Sequence, residues 1–337
     1  MSGLVVAVTG AGGFVGGAVC ADLEAAGHRV VRLARRPIDG HPDAVLWDLR
    51  RGRDGGKGRG SDGADGHAAP LPAVDAIVHC AAAISTFDAD GTAREANVGG
   101  SLRVAEAWPG VPLVYISSAS VYPPSRVAKG GRPLREDDAT GEGLHDPYVS
   151  SKLEAERALA AEAEATGRPL TILRPSIVYG PGDRHLLPGI HRLRFGGVVL
   201  LPGGRLPWSL TPIGLLCEAV RAGVERPAVA KPGGADPQVP SVRILNVAED
   251  PPERVRDLFL RLLSAEAGRP LRAIPFPAWP VRAYAWCVEA AWRVLRLRSE
   301  PIVTRSAVAY ICEERVLDLT ALRGLHGESP GTTWSTR

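Results

Sequence analysis

Residues 4–19 read "LVVAVTGAGGFVGGAV". The first five are apolar and mostly β-branched, and Thr9 follows, which predicts a short buried strand. Gly10, Gly13 and Gly16 then recur at intervals of three, and helical spacing runs on from Phe14 and Val15 to Gly27. Glycine lets a backbone turn sharply and approach a ligand closely, and a helix N-terminus carries partial positive charge. A strand, a glycine turn and a helix in that order predict a cradle for a pyrophosphate, with Phe14 and Val15 at its helical lip.

A dinucleotide held there has its adenosine ribose read at the end of the second strand. A carboxylate at that point selects a free 2′-hydroxyl. Here residues 30–37 are "VVRLARRP": Ala34 takes the acid's place, and Arg35 and Arg36 follow. Two guanidinium groups match a 2′-phosphate in charge and in fork geometry. The expected cofactor is therefore NADP(H).

Working outward, strand-like and helix-like segments alternate. "AVLW" (44–47), "DAIVHCAA" (75–82), "PLVYISS" (112–118) and "LTILRPS" (170–176) read as strands. "TAREANVGGSLRVAEAW" (92–108) and "YVSSKLEAERALAAEAEATG" (148–167) read as helices, the second closed by Gly167. Such alternation predicts an α/β fold, a Rossmann-type doubly wound parallel sheet. Residues 51–70 hold almost no apolar side chain, and a mobile loop is expected where a crossover helix would stand. Beyond about residue 180 the pattern loosens. We expect a dinucleotide-binding domain over 1–180. A smaller, mostly helical substrate-binding region over 181–337 sends some segments back to the sheet. "DRHLLPGIHRLRFGG" (183–197) is predicted helical and "PAVAKPGGADPQVP" (227–240) an exposed loop.

Composition narrows the function classes. The 337 residues carry a formal net charge of +3, too little to argue for nucleic acid or for attraction to an anionic membrane. Five scattered cysteines point to reduced thiols and a cytoplasmic protein rather than a disulfide framework. No spacing suggests a metal site; His185 and His191 lie six apart. No basic, apolar leader pattern opens the chain. "AIPFPAWPVRAYAWCVEAAWRVLRLR" (273–298) is too interrupted by charge to be a membrane span. Its three tryptophans predict a buried or pocket-lining helix, with a membrane-surface helix as the alternative.

The ordered motifs "TGAGGFVG" (9–16), "WDLR" (47–50), "VHCAA" (78–82), "ANVGGSLRVAEA" (96–107), "VYISSASVYP" (114–123), "YVSSK" (148–152) and "RPSIVYGPGD" (174–183) carry a resemblance. Together they resemble the extended short-chain dehydrogenase/reductase family, its epimerase/dehydratase-like branch, over nearly all of residues 4–200. The resemblance implies that Asp48 accepts from the adenine amino group and that Leu49 packs on the ring. It implies that Ala81 and Ala82 line the dinucleotide, that Asn97 braces the loops beside it, and that Pro175 and Ser176 pass the nicotinamide. Of the three serines in "SSAS", it implies Ser118 as the reactive hydroxyl, Ser117 as facing the cofactor and Ser120 as a second choice on the substrate side. A homodimer is left open.

Tyr148 and Lys152 lie four apart on a helical pattern, so their side chains share one face. A free tyrosine, with a pKa of about 10, is a slow acid at neutral pH. An adjacent ammonium favours the phenolate. The expected roles are Tyr148 as acid/base, Lys152 as its pKa partner and ribose anchor, and Ser118 as the group that steadies the carbonyl oxygen.

Two enzyme readings share this site. One is an NADPH-dependent ketoreductase acting on a bulky, partly apolar molecule. The other is a nucleotide-sugar epimerase, dehydratase or ketoreductase. "VYGPGDRHLLPGIHRL" (178–193) and the tail from 300 resemble the sterol-dehydrogenase-like and dihydroflavonol-reductase-like members. Pro212 stands near the place of an acid usual in the nucleotide-sugar members, and the late region is rich in tryptophan. These favour the first reading, while Arg184, Arg192, Arg194 and Arg205 would suit a diphosphate. Ser85, Ser120, Tyr179, Arg184, His185 and Trp208 are candidate substrate contacts. A third reading is an NADP-sensing regulator without catalysis, which the presence of both Tyr148 and Lys152 opposes. Arginine-rich composition and family point to bacterial secondary metabolism.

Overall fold

The computed structural model describes residues 3–51, 71–84, 91–138, 140–141, 146–183, 191, 194–202, 205–228, 241–295, 297, 301 and 303–326. The loop reading at 52–70, the loop at 229–240 and most of the predicted helix at 184–193 lie outside these residues, as do Ser85, Arg184 and His185.

The main sheet has seven strands: β1 (Val5–Thr9), β2 (Arg29–Ala34), β3 (Val45–Leu46), β4 (Ala76–His79), β5 (Leu113–Ile116), β6 (Leu170–Pro175) and β12 (Val242–Val247). Their order is β12-β6-β5-β4-β1-β2-β3, and every pair is parallel. Strand side chains alternate between faces. Val6, Val8, Val78, Val114 and Ile116 point to one core with helices Phe14–Ala25 and Ile213–Glu225. Ala7, Ile77, Leu113 and Tyr115 point to the other, with helix Pro147–Thr166 and the helical run 92–107. Both faces are covered, which is why these strands read as unbroken apolar runs. The strand order reverses between β1 and β4, and it is at the carboxyl ends of such a pair that open α/β sheets bind ligands.

Three later segments return to this sheet. Helix Ile213–Glu225 presents Leu215, Leu216, Ala219 and Val220 to it. β12 extends it beside β6, and Leu322 of helix Thr320–His326 joins the same core. The remainder is more stranded than predicted. It contains β7 (Ile177–Tyr179), β8 (Arg194–Phe195), β9 (Val198–Pro202), β10 (Pro207–Trp208), β11 (Leu210–Pro212), β13 (Glu253–Arg254) and β14 (Arg272–Phe276) in three small sheets. Arg194–Phe195 pairs antiparallel with β9 instead of extending a helix; Gly196 and Gly197 between them make the turn.

Helix Trp279–Val294 corrects an expectation. It is not buried: Trp279, Tyr284 and Trp286 stand mostly in solvent, and Ala285 and Glu289 alone are buried along it. The helix rests on Arg305–Cys312, too short a neighbour to cover its outer face. Among the described residues, no helix is long and apolar enough to cross a membrane.

Candidate active site

The glycine turn lies where the sequence placed it. Gly10 adopts φ +69°, and a Cβ there would come within 2.9 Å of the Ala81 backbone. Gly13 N–H donates to the Gly10 carbonyl at 2.9 Å, and Phe14 opens the helix immediately after. A side chain at Gly16 would drive into the same carbonyl. The close passage of β1 past the β4 loop therefore depends on glycine.

Arg35 and Arg36 are exposed just beyond β2. Asp48 is gripped by Arg50, with Nε to Oδ1 at 3.0 Å and Nη2 to Oδ2 at 2.6 Å. That guanidinium pulls the carboxyl down to about 2. Oδ1 also accepts the Arg50 backbone N–H at 3.1 Å, so Oδ2 is the oxygen that keeps a lone pair for another donor. Leu49 packs against Gly100, and its carbonyl accepts from Arg103 at 2.7 Å.

Helix Pro147–Thr166 begins at a cap. The Asp146 carboxylate accepts the Tyr148 N–H at 2.9 Å and the Val149 N–H at 3.3 Å, and Pro147 fixes the first turn. Tyr148 is half-buried and Lys152, one turn on, is 2% exposed. Lys152 Nζ donates to the Ile116 carbonyl at 2.7 Å and lies 4.8 Å from the centre of the Tyr115 ring. Burial holds its pKa down to about 8. Lys152 thus ties the helix to the end of β5, immediately before Ser117 and Ser118.

The serine turn resolves into distinct roles. Ser118 Oγ accepts both the Ser120 hydroxyl, at 2.9 Å, and the Ser120 backbone N–H, at 3.2 Å. Its own proton remains to be given outward. Ser120 is buried, and both its hydroxyl and its backbone N–H are given to Ser118 Oγ. Ser117 Oγ and Ser176 Oγ are buried without a hydrogen-bond partner in the protein. Pro175 ends β6, and Ser176 N–H donates to Thr211 Oγ1 at 2.9 Å.

Asn97 braces a loop and a helix at once. Its Oδ1 accepts the Ala83 N–H at 2.7 Å, and Nδ2 donates to the Ala83 carbonyl at 3.1 Å and to Ser151 Oγ at 2.8 Å. Ser151 in turn donates to the Tyr148 carbonyl at 2.8 Å. The segment after β4, which holds Ala81 and Ala82, is thereby fixed to the tyrosine helix.

Two candidate substrate contacts prove to be core. Trp208 is fully buried and its indole N–H donates to the Glu313 carbonyl, so no face of the ring is open to a ligand. Tyr179 packs in the same cluster, its hydroxyl 3.2 Å from both oxygens of Glu249.

The sequence did not single out His79, which is fully buried beneath the site. Ser101 donates to the Asn97 carbonyl at 2.5 Å, so it accepts from His79 Nε2 at 2.9 Å. His79 Nδ1 is then the acceptor from Thr9 Oγ1 at 2.6 Å. Burial pulls its pKa down to about 3 and keeps it neutral. A second network, also unforeseen, joins Arg174 to Glu156 by a buried ion pair of 2.6 Å and to the Tyr122 hydroxyl at 2.6 Å. Tyr122 donates to Asn246 on β12 at 2.9 Å. Apolar context had made "VHC" and "ILRP" look like plain strand ends.

The glycine turn at the sheet's crossover and the two unpartnered hydroxyls at the carboxyl ends of β5 and β6 fit a dinucleotide laid across the strand ends. Sheet order and turn together are those of a Rossmann-type dinucleotide-binding fold, and its relatives make the chain an NAD(P)-dependent oxidoreductase of the short-chain dehydrogenase/reductase class. The chain belongs to the NAD dependent epimerase/dehydratase family, which matches residues 6–208, and it is an extended member of that class. A 2-alkyl-3-oxoalkanoate reductase of Stenotrophomonas maltophilia is 31% identical over 91% of this chain and 89% of its own. A UDP-glucose 4-epimerase of Vibrio cholerae is 28% identical over 81% and 79%. The crystal structure of the human epimerase family protein SDR39U1 with NADPH superposes with a TM-score of 0.66 at 19% identity, over 97% of this chain and 95% of that one.

Proposed function

We propose that this chain is an NADPH-dependent ketoreductase for a bulky, partly apolar ketone, with Ser118, Tyr148 and Lys152 as its catalytic residues. The observation that carries the reading is the buried Lys152 ammonium, one helical turn from Tyr148 and anchored to the strand end that leads into Ser118.

NADPH supplies a hydride to the carbonyl carbon. Tyr148 gives its phenolic proton to the carbonyl oxygen, and the product is a secondary alcohol. The Lys152 ammonium stabilises the phenolate left behind, which regains a proton from solvent. Ser118, already accepting twice from Ser120, donates to the carbonyl oxygen and steadies the charge that grows there. Gly10, Gly13, Phe14, Val15 and Gly16 cradle the pyrophosphate. Arg35 and Arg36 hold the 2′-phosphate, and Asp48 and Leu49 hold the adenine. Ala81, Ala82 and Asn97 line the middle of the dinucleotide. Ser117, Pro175 and Ser176 face the nicotinamide.

The similarity to the 2-alkyl-3-oxoalkanoate reductase continues beyond the family-matched segment into the C-terminal region, and this favours a 2-alkyl-3-oxoalkanoate-like substrate. A nucleotide-sugar substrate is the second reading, favoured by the likeness to the 4-epimerase. NADPH oxidation against 2-alkyl-3-oxoalkanoates and UDP-4-keto sugars separates the two. Turnover with the oxoalkanoates and none with the sugars is expected; the reverse overturns the substrate assignment. Hydride transfer to any ketone would exclude a regulator without catalysis.

A further inference from the structure

Helix Trp279–Val294 has an outer face with no negative charge. Trp279, Tyr284, Trp286 and Val294 on that face are 71, 56, 59 and 80% exposed. At 100° per residue they fall within about half the helix circumference. Soluble proteins scatter their exposed aromatics singly, and a contiguous apolar face marks a surface that meets something.

The charges on this helix are sorted. Its one acid, Glu289, is buried and turned inward, accepting from the Arg305 backbone N–H at 2.6 Å and from Arg305 Nε at 2.9 Å. Arg282 and Arg293 are exposed at one edge of the apolar face. Arg293 Nη2 stands 3.6 Å from Glu289 Oε2, but that carboxylate is buried, so the charges this helix exposes beside tryptophan and tyrosine are both cationic.

A second copy docked through the same face would bring these arginines to a helix that exposes no carboxylate of its own. An anionic lipid surface answers both features. Headgroup phosphates pair with the guanidinium groups, and the aromatic rings settle at the boundary between headgroups and acyl chains. The helix is too short and too polar on its inner face to cross a bilayer, so it would lie along one.

We propose that the outer face of Trp279–Val294 docks this protein peripherally on an anionic lipid bilayer. The docking needs no substrate and stands whichever ketone the site reduces.

The full-length protein is mixed with vesicles of phosphatidylcholine alone or with about one third phosphatidylglycerol, and bound protein is separated by flotation. Partitioning onto the anionic vesicles should exceed that onto neutral ones by about tenfold and weaken in high salt. Trp279→Ala/Trp286→Ala and Arg282→Gln/Arg293→Gln should each lower it by about tenfold, with far-UV circular dichroism unchanged. Trp279→Phe/Trp286→Phe should retain most of it. No binding by the wild type, equal binding to both vesicle types, or unchanged binding by the folded variants overturns the proposal. A concentration-dependent dimer that Trp279→Ala/Trp286→Ala abolishes also overturns it and assigns the face to a second copy.

Discussion

Ser120 donates its hydroxyl proton to Ser118 Oγ at 2.9 Å, and its backbone N–H reaches the same oxygen at 3.2 Å. An oxygen that accepts twice can only donate with its own proton, so the turn fixes which way the Ser118 hydroxyl points. Ser118→Ala should lower kcat by about 10²–10³-fold, as loss of a charge-stabilising donor does. Ser120→Ala leaves the reacting hydroxyl in place but free to rotate, and should lower kcat by about tenfold. Steady-state kinetics with dinucleotide affinity measured separately distinguishes these effects from a loss of binding.

Lys152 gives the pH dependence. Burial brings its pKa from the ordinary 10.5 down to about 8. Folded Lys152 holds its proton less tightly than unfolded Lys152, so unfolding takes up a proton between these two values. Raising pH through that window therefore adds stability from this residue, because a buried ammonium is relieved of its charge. Catalysis runs the other way, since the ammonium is the form that steadies the phenolate. kcat/KM for ketone reduction should fall as pH rises above about 8, while the urea midpoint of the apoprotein rises relative to Lys152→Met. A flat kcat/KM up to pH of about 10 would exclude the proposed role for the ammonium.

The Arg174–Glu156 pair fixes β6 to the tyrosine helix, and both side chains are only 4% exposed. Removing one member strands the other charge in a low-dielectric site. Glu156→Gln should destabilise by about 3–5 kcal/mol. Replacing both by apolar residues of similar volume should recover much of that loss, as read from urea unfolding.

Arg35 and Arg36 carry the cofactor choice. Changing both to alanine should raise the KM for NADPH by about tenfold or more, and the KM for NADH by less than about threefold. Equal changes would refute recognition of a 2′-phosphate.

Much of the fold was legible because it is locally encoded. Gly10 could be read as a turn from β-branched residues before it and helical spacing after it. Tyr148 and Lys152 could be placed on one helix face by spacing, with Gly167 as its end. Segments whose partners are distant in sequence were less readable. Val242–Val247 looks like any short strand until Leu170–Pro175 stands beside it. Trp208 and Tyr179 were read as pocket residues because aromatic side chains suit both cores and ligands; their burial is decided by Glu313 and Glu249, far along the chain. Helix Trp279–Val294 was expected inside for its tryptophans. Composition could not reveal that its short neighbour leaves the outer face open. His79 went unnoticed because its partners Thr9 and Ser101 come from two other elements.

The central claim is that Tyr148 delivers the proton. Tyr148→Phe keeps the ring and removes the donor. Single-turnover NADPH oxidation by this variant, with NADPH affinity measured in parallel, tests the claim most directly. Affinity should remain within about threefold of wild type and the rate should fall by about 10³-fold or more. A rate within about tenfold of wild type would contradict it.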